Sequence, residues 1–341
     1  MKLNLVKEIS LAHDAISVAD VPNTDKVFVG GIAGKVFQLD LAEQKPEPLA
    51  WSAHVSYVSG LVLAGNHLIS GGSDHLMIWW DRETHRPLRI VHDHPKWIRH
   101  LALSPDQRLV ASVCDDMVCR LFDAEKGKLV CELRGHSLRT SHQLPSKLYT
   151  SVFSHDGQHL ATADQTGHIV VWDVCTGKQV AKLHAPHFFT HDTNGHGYGG
   201  IRTLAFSPDS RLLAAGGNRA GDTSTIGGSK SLIQVFDWRA AEKTHDFIDG
   251  GNFFYERLQF HHEGRWLVGG GGAGTEQKIA VFDVEKGTLL DAVASPLLVF
   301  DMALSKRSDS LVTVGRKEGK GHVALWQLVA SQTSSDPAGP E

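Results

Sequence analysis

Four histidines and an aspartate crowd one short glycine-rich stretch: His184, His187, His191, Asp192 and His196. Imidazole is a good ligand for zinc, copper or nickel, and three or four on one loop could converge on an ion. Their spacings match no closed site, so the competing reading is loop histidines that cover a rim or meet a partner. Gly269, Gly271 and Gly274 spell the dinucleotide fingerprint, yet the next segment, KIAVFDV, reads as a strand where phosphate binding requires a helix N-terminus. A turn between strands is expected there. The chain has no phosphate-loop lysine followed by Ser or Thr, no H-E-x-x-H and no G-x-S-x-G turn. Neither an enzyme nor a bound cofactor is expected.

The bulk composition excludes further classes. Hydrophobic residues make up 41% of the chain and charged residues 21%, ordinary for a globular protein. The formal net charge of −4 is far from the strongly basic footprint of a nucleic-acid binder. No apolar run approaches the roughly 20 residues that span a bilayer. The N-terminal MKLNLVKEISLAHD alternates apolar and polar residues and lacks a signal peptide's unbroken apolar stretch. A cytoplasmic location and no membrane partner are the resulting expectations. Cys114, Cys119, Cys131 and Cys175 form no C-x-x-C pair, and their apolar surroundings suggest buried free thiols.

The elements that must carry any site repeat along the chain. A short apolar strand ending in an aromatic or Leu plus an acid recurs as FQLD, IWWD, RLFD, VVWD, QVFD and AVFD, and a seventh copy, ALWQL, ends without the acid at Gln327. Most intervals lie near the roughly 40–45 residues of a propeller blade; those ending at Asp173 and Asp237 are longer and carry insertions. Within each unit a loop, often with His, leads to a strand, a polar turn such as SPD, a second strand, the aromatic-acid strand and a fourth strand.

This order resembles the WD-repeat family over essentially residues 1–328. The resemblance implies an all-β, seven-bladed β-propeller of four-stranded antiparallel sheets in one domain, 1–328. It also implies a structural hydrogen-bonded set of His, Ser or Thr, Asp and Trp in each blade. Blade 2 matches with His54, Ser70, Asp74 and Trp80. Blade 3 matches with His94, Ser112 and Asp116, with Phe122 in place of Trp. In blade 4 His136 and Trp172 fit, while the turn Asp164-Gln165-Thr166-Gly167 is out of register; the other blades have lost most of the set. Residues 329–341 read as a flexible polar tail without strand pattern, which leaves blade 7 short of its outer strand. Residues 2–10 are expected to supply it and close the ring.

The family's geometry opens the loop before each first strand, and that between the second and third strands, on one face, the top. Extra length concentrates there, in 134–147, 184–200, 216–231, 269–278 and 315–322. Long loops on one side of a rigid scaffold are a usual seat of binding. The position before each first strand holds Tyr57, Trp97, Lys147, Gly200, Phe254 and Leu298. Arg99, Arg202 and Arg257 stand nearby, and the top loops hold a surplus of basic groups diluted by acids such as Glu276 and Glu318. The leading expectation is a non-catalytic scaffold or adaptor whose top face binds a protein or peptide, an acidic segment being the complementary chemistry. A solvated mixed-charge rim is the plain alternative for those charges. A metal or small-molecule site around 184–196 is the alternative function.

Overall fold

The computed structural model describes residues 1–191, 197–219, 230–248, 250–273, 275–305 and 309–329. They form seven antiparallel sheets, each built from strands consecutive in the chain, except for the last. The first strands touch in cyclic order, that of blade 7 (Leu298–Leu304) meeting that of blade 1 (Ala15–Asp20). The molecule is a closed seven-bladed propeller. The one helical element among the described residues is a 3-10 turn, Pro186–Phe188, and no helix is long and apolar enough to cross a membrane.

The strands are apolar because each sheet buries both faces against its neighbours. Every residue of Val58–Ala64, the inner strand of blade 2, is buried, whereas four of the five in its outer strand Pro87–Val91 are exposed. The described core is accordingly seven apolar clusters, one at each junction between blades. Between blades 2 and 3, for example, Ile69 and Trp79 meet Ile98, Val110 and Phe122. Each such side chain withdrawn from water is worth about 1.5–3 kcal/mol.

Closure takes the expected form. Lys2–Leu11 pairs antiparallel with Lys320–Val329, from Lys2 opposite Val329 to Leu11 opposite Gly321. Asp291 of blade 6 accepts from the Leu3 N–H at 2.9 Å, and Lys317 pairs with Glu8 at 2.7 Å, so side chains reinforce the seam. The outer strand of every blade but the first carries a one-residue register slip against its neighbour.

Three expectations need correction. The stretches 269–278 and 315–322 are not loops but the ends of long hairpins, Trp266–Ala273 with Glu276–Asp283 and Ser310–Lys317 with Lys320–Val329. Their glycines permit close backbone approach: a Cβ on Gly271 would stand 1.9 Å from the Phe254 carbonyl oxygen. The flanks of 216–231 likewise pair, Arg219 facing Lys230. The segment before blade 5 adds a fifth strand, Phe189–His191 against residues 197–199, instead of an unstructured loop. Nor are all four thiols buried: Cys131 is half-buried on an outer strand, and Cys175 is exposed in a turn.

The hydrogen-bonded sets also depart from the family pattern. In blade 2, His54 Nδ1 donates to Asp74 at 2.8 Å, and its Nε2 accepts from Ser70 at 2.8 Å. Ser70 in turn accepts from the Trp80 indole at 2.9 Å. Blade 4, out of register in sequence, is complete in space. His136 bonds Asp164 and Thr162, each at 2.8 Å, and Trp172 donates to Thr162. Asp164 stands two residues after Thr162, whereas Asp74 stands four after Ser70, so the carboxylate reaches the ring from a different point of the turn. Burial alone would raise Asp164, but bonds from His136 and His168 hold its carboxyl well below the usual range. Blade 3 has its His, Ser and Asp in register in the sequence, yet the set is broken in space. His94 bonds Ser112 at 2.7 Å, but Arg120 takes Asp116 at 2.7 Å and leaves His94 Nδ1 without a partner.

Burial, with Arg120's charge second, pushes His94 down to about 3. The unfolded imidazole takes up its proton near 6.5 and the folded one only near 3, so stability drains away as pH falls through that window. Urea unfolding followed against pH should lose up to a few kcal/mol across it, and His94→Gln should flatten that limb of the profile.

Candidate functional site at the channel mouth

The top of the channel is built by one recurring backbone irregularity. In every blade the first strand slips register by one residue against the second, at Ala15/Ser17, Val58/Gly60, Ile98/His100, Leu148/Thr150, Ile201/Thr203, Tyr255/Arg257 and Val299/Asp301. A bulge leaves one residue outside the ladder and re-aims its side chain. The seven extra residues are Ile16, Ser59, Arg99, Tyr149, Arg202, Glu256 and Phe300, and all seven line one cavity of about 400 Å³. Asp14, Ile32, Tyr57, Trp97, Arg257 and Arg316 complete its wall. At the opposite end, a second cavity is lined by Pro105, His155, His262 and Ser305 from the turns between first and second strands.

Across blades 2 to 6 the mouth carries an arc of alternating rings and guanidiniums. Tyr57 and Trp97 lie 5.5 Å apart, centroid to centroid. The Arg99 guanidinium is 3.6 Å from the Trp97 ring and 5.9 Å from that of Tyr149. Arg202 follows, 4.4 Å from Tyr149 and 5.5 Å from Phe254. Each separation falls within the roughly 6 Å reach of a cation–π contact. Gly200 helps to seat the arc. Its φ of +127° is the left-handed side of the map, and a Cβ there would come within 3.2 Å of the Tyr149 ring.

Charge is distributed unevenly. Arg99 grips Asp115 through two bonds of 2.8 and 2.6 Å, Arg257 pairs with Asp301 at 2.6 Å, and Arg316 faces Asp14 at 3.4 Å. Asp301 also accepts from the Val18 N–H of blade 1 at 2.9 Å, tying the pair into the ring. Among the described residues Arg202 makes no ion pair or hydrogen bond, and its Nε is buried without a partner. Further down the channel, burial and then the charge of Arg257 hold His100 well below the ordinary imidazole value, so it is neutral.

The sequence-derived residues divide accordingly. Tyr57, Trp97, Arg99, Arg202 and Arg257 line the mouth, and Phe254 touches it through Arg202. Lys147 and Leu298 are not among the lining residues; Leu298 packs over Gly272 instead. The family-based position lies two residues before the one that the bulge turns inward, so Tyr149 and Phe300 take the places expected of Lys147 and Leu298. Ile16 and Ser59 were also missed. An unbroken apolar strand hides a single inserted residue, and only the recurrence of a polar or aromatic side chain at the bulge of six of the seven first strands, Ile16 being the exception, hints at it.

Of the histidine-rich stretch, the side chains of His184 and His187 are described. His184 stacks on His168, its partner across the strand pair, with centroids 4.6 Å apart. Burial and then the His168 charge lower its pKa. His187 is exposed in the 3-10 turn, only the backbone of His191 is described, and His196 lies outside the described residues. Among the described residues, the set of three potential ligands that closes is His261, His262 and Glu263. His261 is already engaged there: its Nδ1 accepts from the Glu263 N–H and its Nε2 faces Asp309 at 3.1 Å.

Comparison with known proteins agrees with this geometry. A family model described as WD40, the WD domain or G-beta repeat, matches at residues 85–123, 127–173 and 188–224, three consecutive units of the ring. These three units are similar to the WD repeat. It is 29% identical to apoptotic protease-activating factor 1 of Rattus norvegicus over 59% of this chain and 16% of that protein. It is 25% identical to telomerase protein component 1 of the same organism over 91% of this chain and 11% of that one. With the guanine nucleotide-binding protein subunit beta of Zea mays it shares 30% identity over 50% of this chain and 43% of the relative. The chain therefore matches only a part of each relative's length.

Gly200→Ala should strain the backbone and press on Tyr149, lowering unfolding stability by about 1–2 kcal/mol. A thermal melt that matched wild type would contradict the account of the arc's seating.

Proposed function

We propose that this WD-repeat propeller is a non-catalytic scaffold that holds a protein or peptide partner across its channel mouth, an acidic segment of the partner lying against the arginine-bearing arc. One observation carries the reading: the aromatic–arginine arc that the bulges gather across five neighbouring blades. Trp, Tyr and Arg are the side chains over-represented where binding energy concentrates. Tyr57 is 40% exposed, and Trp97, Phe254 and Arg202 are half-buried, so the arc offers contact area already desolvated in part. Relatives named as a G-protein beta subunit and a protease-activating factor are compatible with a role in assembly. The channel's polar groups, Arg202, Glu256, Arg257 and Asp301, compose no nucleophile–base pair that would favour catalysis.

The test is a double variant. Trp97→Ala combined with Phe254→Ala should weaken a partner identified by pull-down and mass spectrometry by roughly a hundredfold or more, from two contacts of at least about 1.4 kcal/mol each. Its melting temperature should stay near wild type. A folded double variant that binds the partner with unchanged affinity would place the contact elsewhere on the ring.

A further inference from the structure

We infer that the mouth contains a seat for a single carboxylate of the partner and that Arg202 holds it; the inference deepens the reading above and rests on it. Arg99, Arg257 and Arg316 are each committed to a carboxylate of the chain itself. Of the arginines lining the cavity, Arg202 alone has no ion pair and no hydrogen bond among the described residues, and its Nε lies buried without an acceptor. A buried donor left unpaired is unfavourable, and an arriving acceptor relieves it. Tyr149 and Phe254 flank the guanidinium, which restricts its motion and holds the planar fork ready. Carboxylate oxygens match that fork in bidentate geometry.

The surroundings favour a carboxylate over a phosphate. Glu256, on the next blade, acts electrostatically on Arg202 without pairing with it, and Asp14 stands in the same wall. A carboxylate brings one negative charge to Arg202, the one arginine of this wall left uncommitted among the described residues. A phosphate monoester brings close to two, beside an acid already present. The cavity of about 400 Å³ admits a side chain or a chain end, with Tyr57 and Trp97 left for the residues beside it.

Side-chain NMR of the Arg202 Nε–Hε group, assigned with Arg202→Lys, reads the seat directly in the full chain. The probes are N-acetyl-aspartate N-methylamide for a side-chain carboxylate, N-acetylglycine for a chain terminus, and inorganic phosphate. A saturable shift at millimolar concentration with one or both carboxylates is expected, and the tighter of the two identifies the source. In the companion measurement, partner affinity should fall at least about tenfold in Arg202→Gln, and less in Arg202→Lys, which keeps the charge but loses the fork. The inference is overturned if neither carboxylate shifts the resonance, if phosphate binds more tightly than both, or if Arg202→Gln keeps full affinity for the partner. Loss of the partner in the Trp97 and Phe254 double variant, with full retention in Arg202→Gln, would remove the seat and leave the binding face standing. Retention in the folded double variant would remove the face itself.

Discussion

A sheet four strands wide cannot shelter both of its faces alone, and the whole molecule is arranged around that constraint. Each blade lends one face to the blade before it and one to the blade after it, which is why the core is divided among seven junctions instead of gathered at a centre. An open arc would leave two apolar faces wet at its ends. The strand Lys2–Leu11 removes that problem by completing blade 7 with chain from the other end of the sequence. Ties between inner strands follow the same circular logic, as where Ser17 donates to Val58, Ser59 to Ile98 and Thr203 accepts from Leu258.

The bulges translate this rigid ring into a chemical surface. One irregularity per blade brings seven side chains of different chemistry to one opening. None of the bulged residues belongs to the seven apolar clusters, although Ser59 ties blade 2 to blade 3, so most of the wall could carry a different set. In this chain the cavity wall is partly self-neutralised: of its four arginines, Arg99, Arg257 and Arg316 pair with carboxylates of the chain, and among the described residues Arg202 does not. The contrast between Arg99, locked to Asp115, and Arg202, flanked by rings but unbonded, gives the mouth a direction.

The repeat was legible from spacing alone, and so was the closing strand, because an unpaired sheet edge and a leftover amphipathic segment at Lys2–Leu11 account for each other. What stayed hidden depends on events smaller than the pattern. Asp164 reaches His136 from a shifted turn position, and Arg120 diverts Asp116 from His94, although motif matching ranks these two blades the other way round. The glycines of 269–272 read as a loop because a one-dimensional pattern cannot register that the Phe254 carbonyl lies where a Cβ would be. Trp97 and Arg202 were found through residue type near a known loop. Tyr149 and Phe300 were not, since a single inserted residue changes which side of a strand faces the channel without altering its composition.

The seam in blade 7 has a mechanical side. Lys2 sits opposite Val329, so the first and last described strands begin and finish at the same corner of the ring. Tension applied between those two points would load one rung at a time, as in opening a zipper, and not the whole ladder in shear. A ring closed against heat by many simultaneous contacts is thus comparatively soft to a pull along this one axis. The adjacency also means that a longer polypeptide could enter and leave the propeller at a single spot, with little detour between the stretches on its two sides.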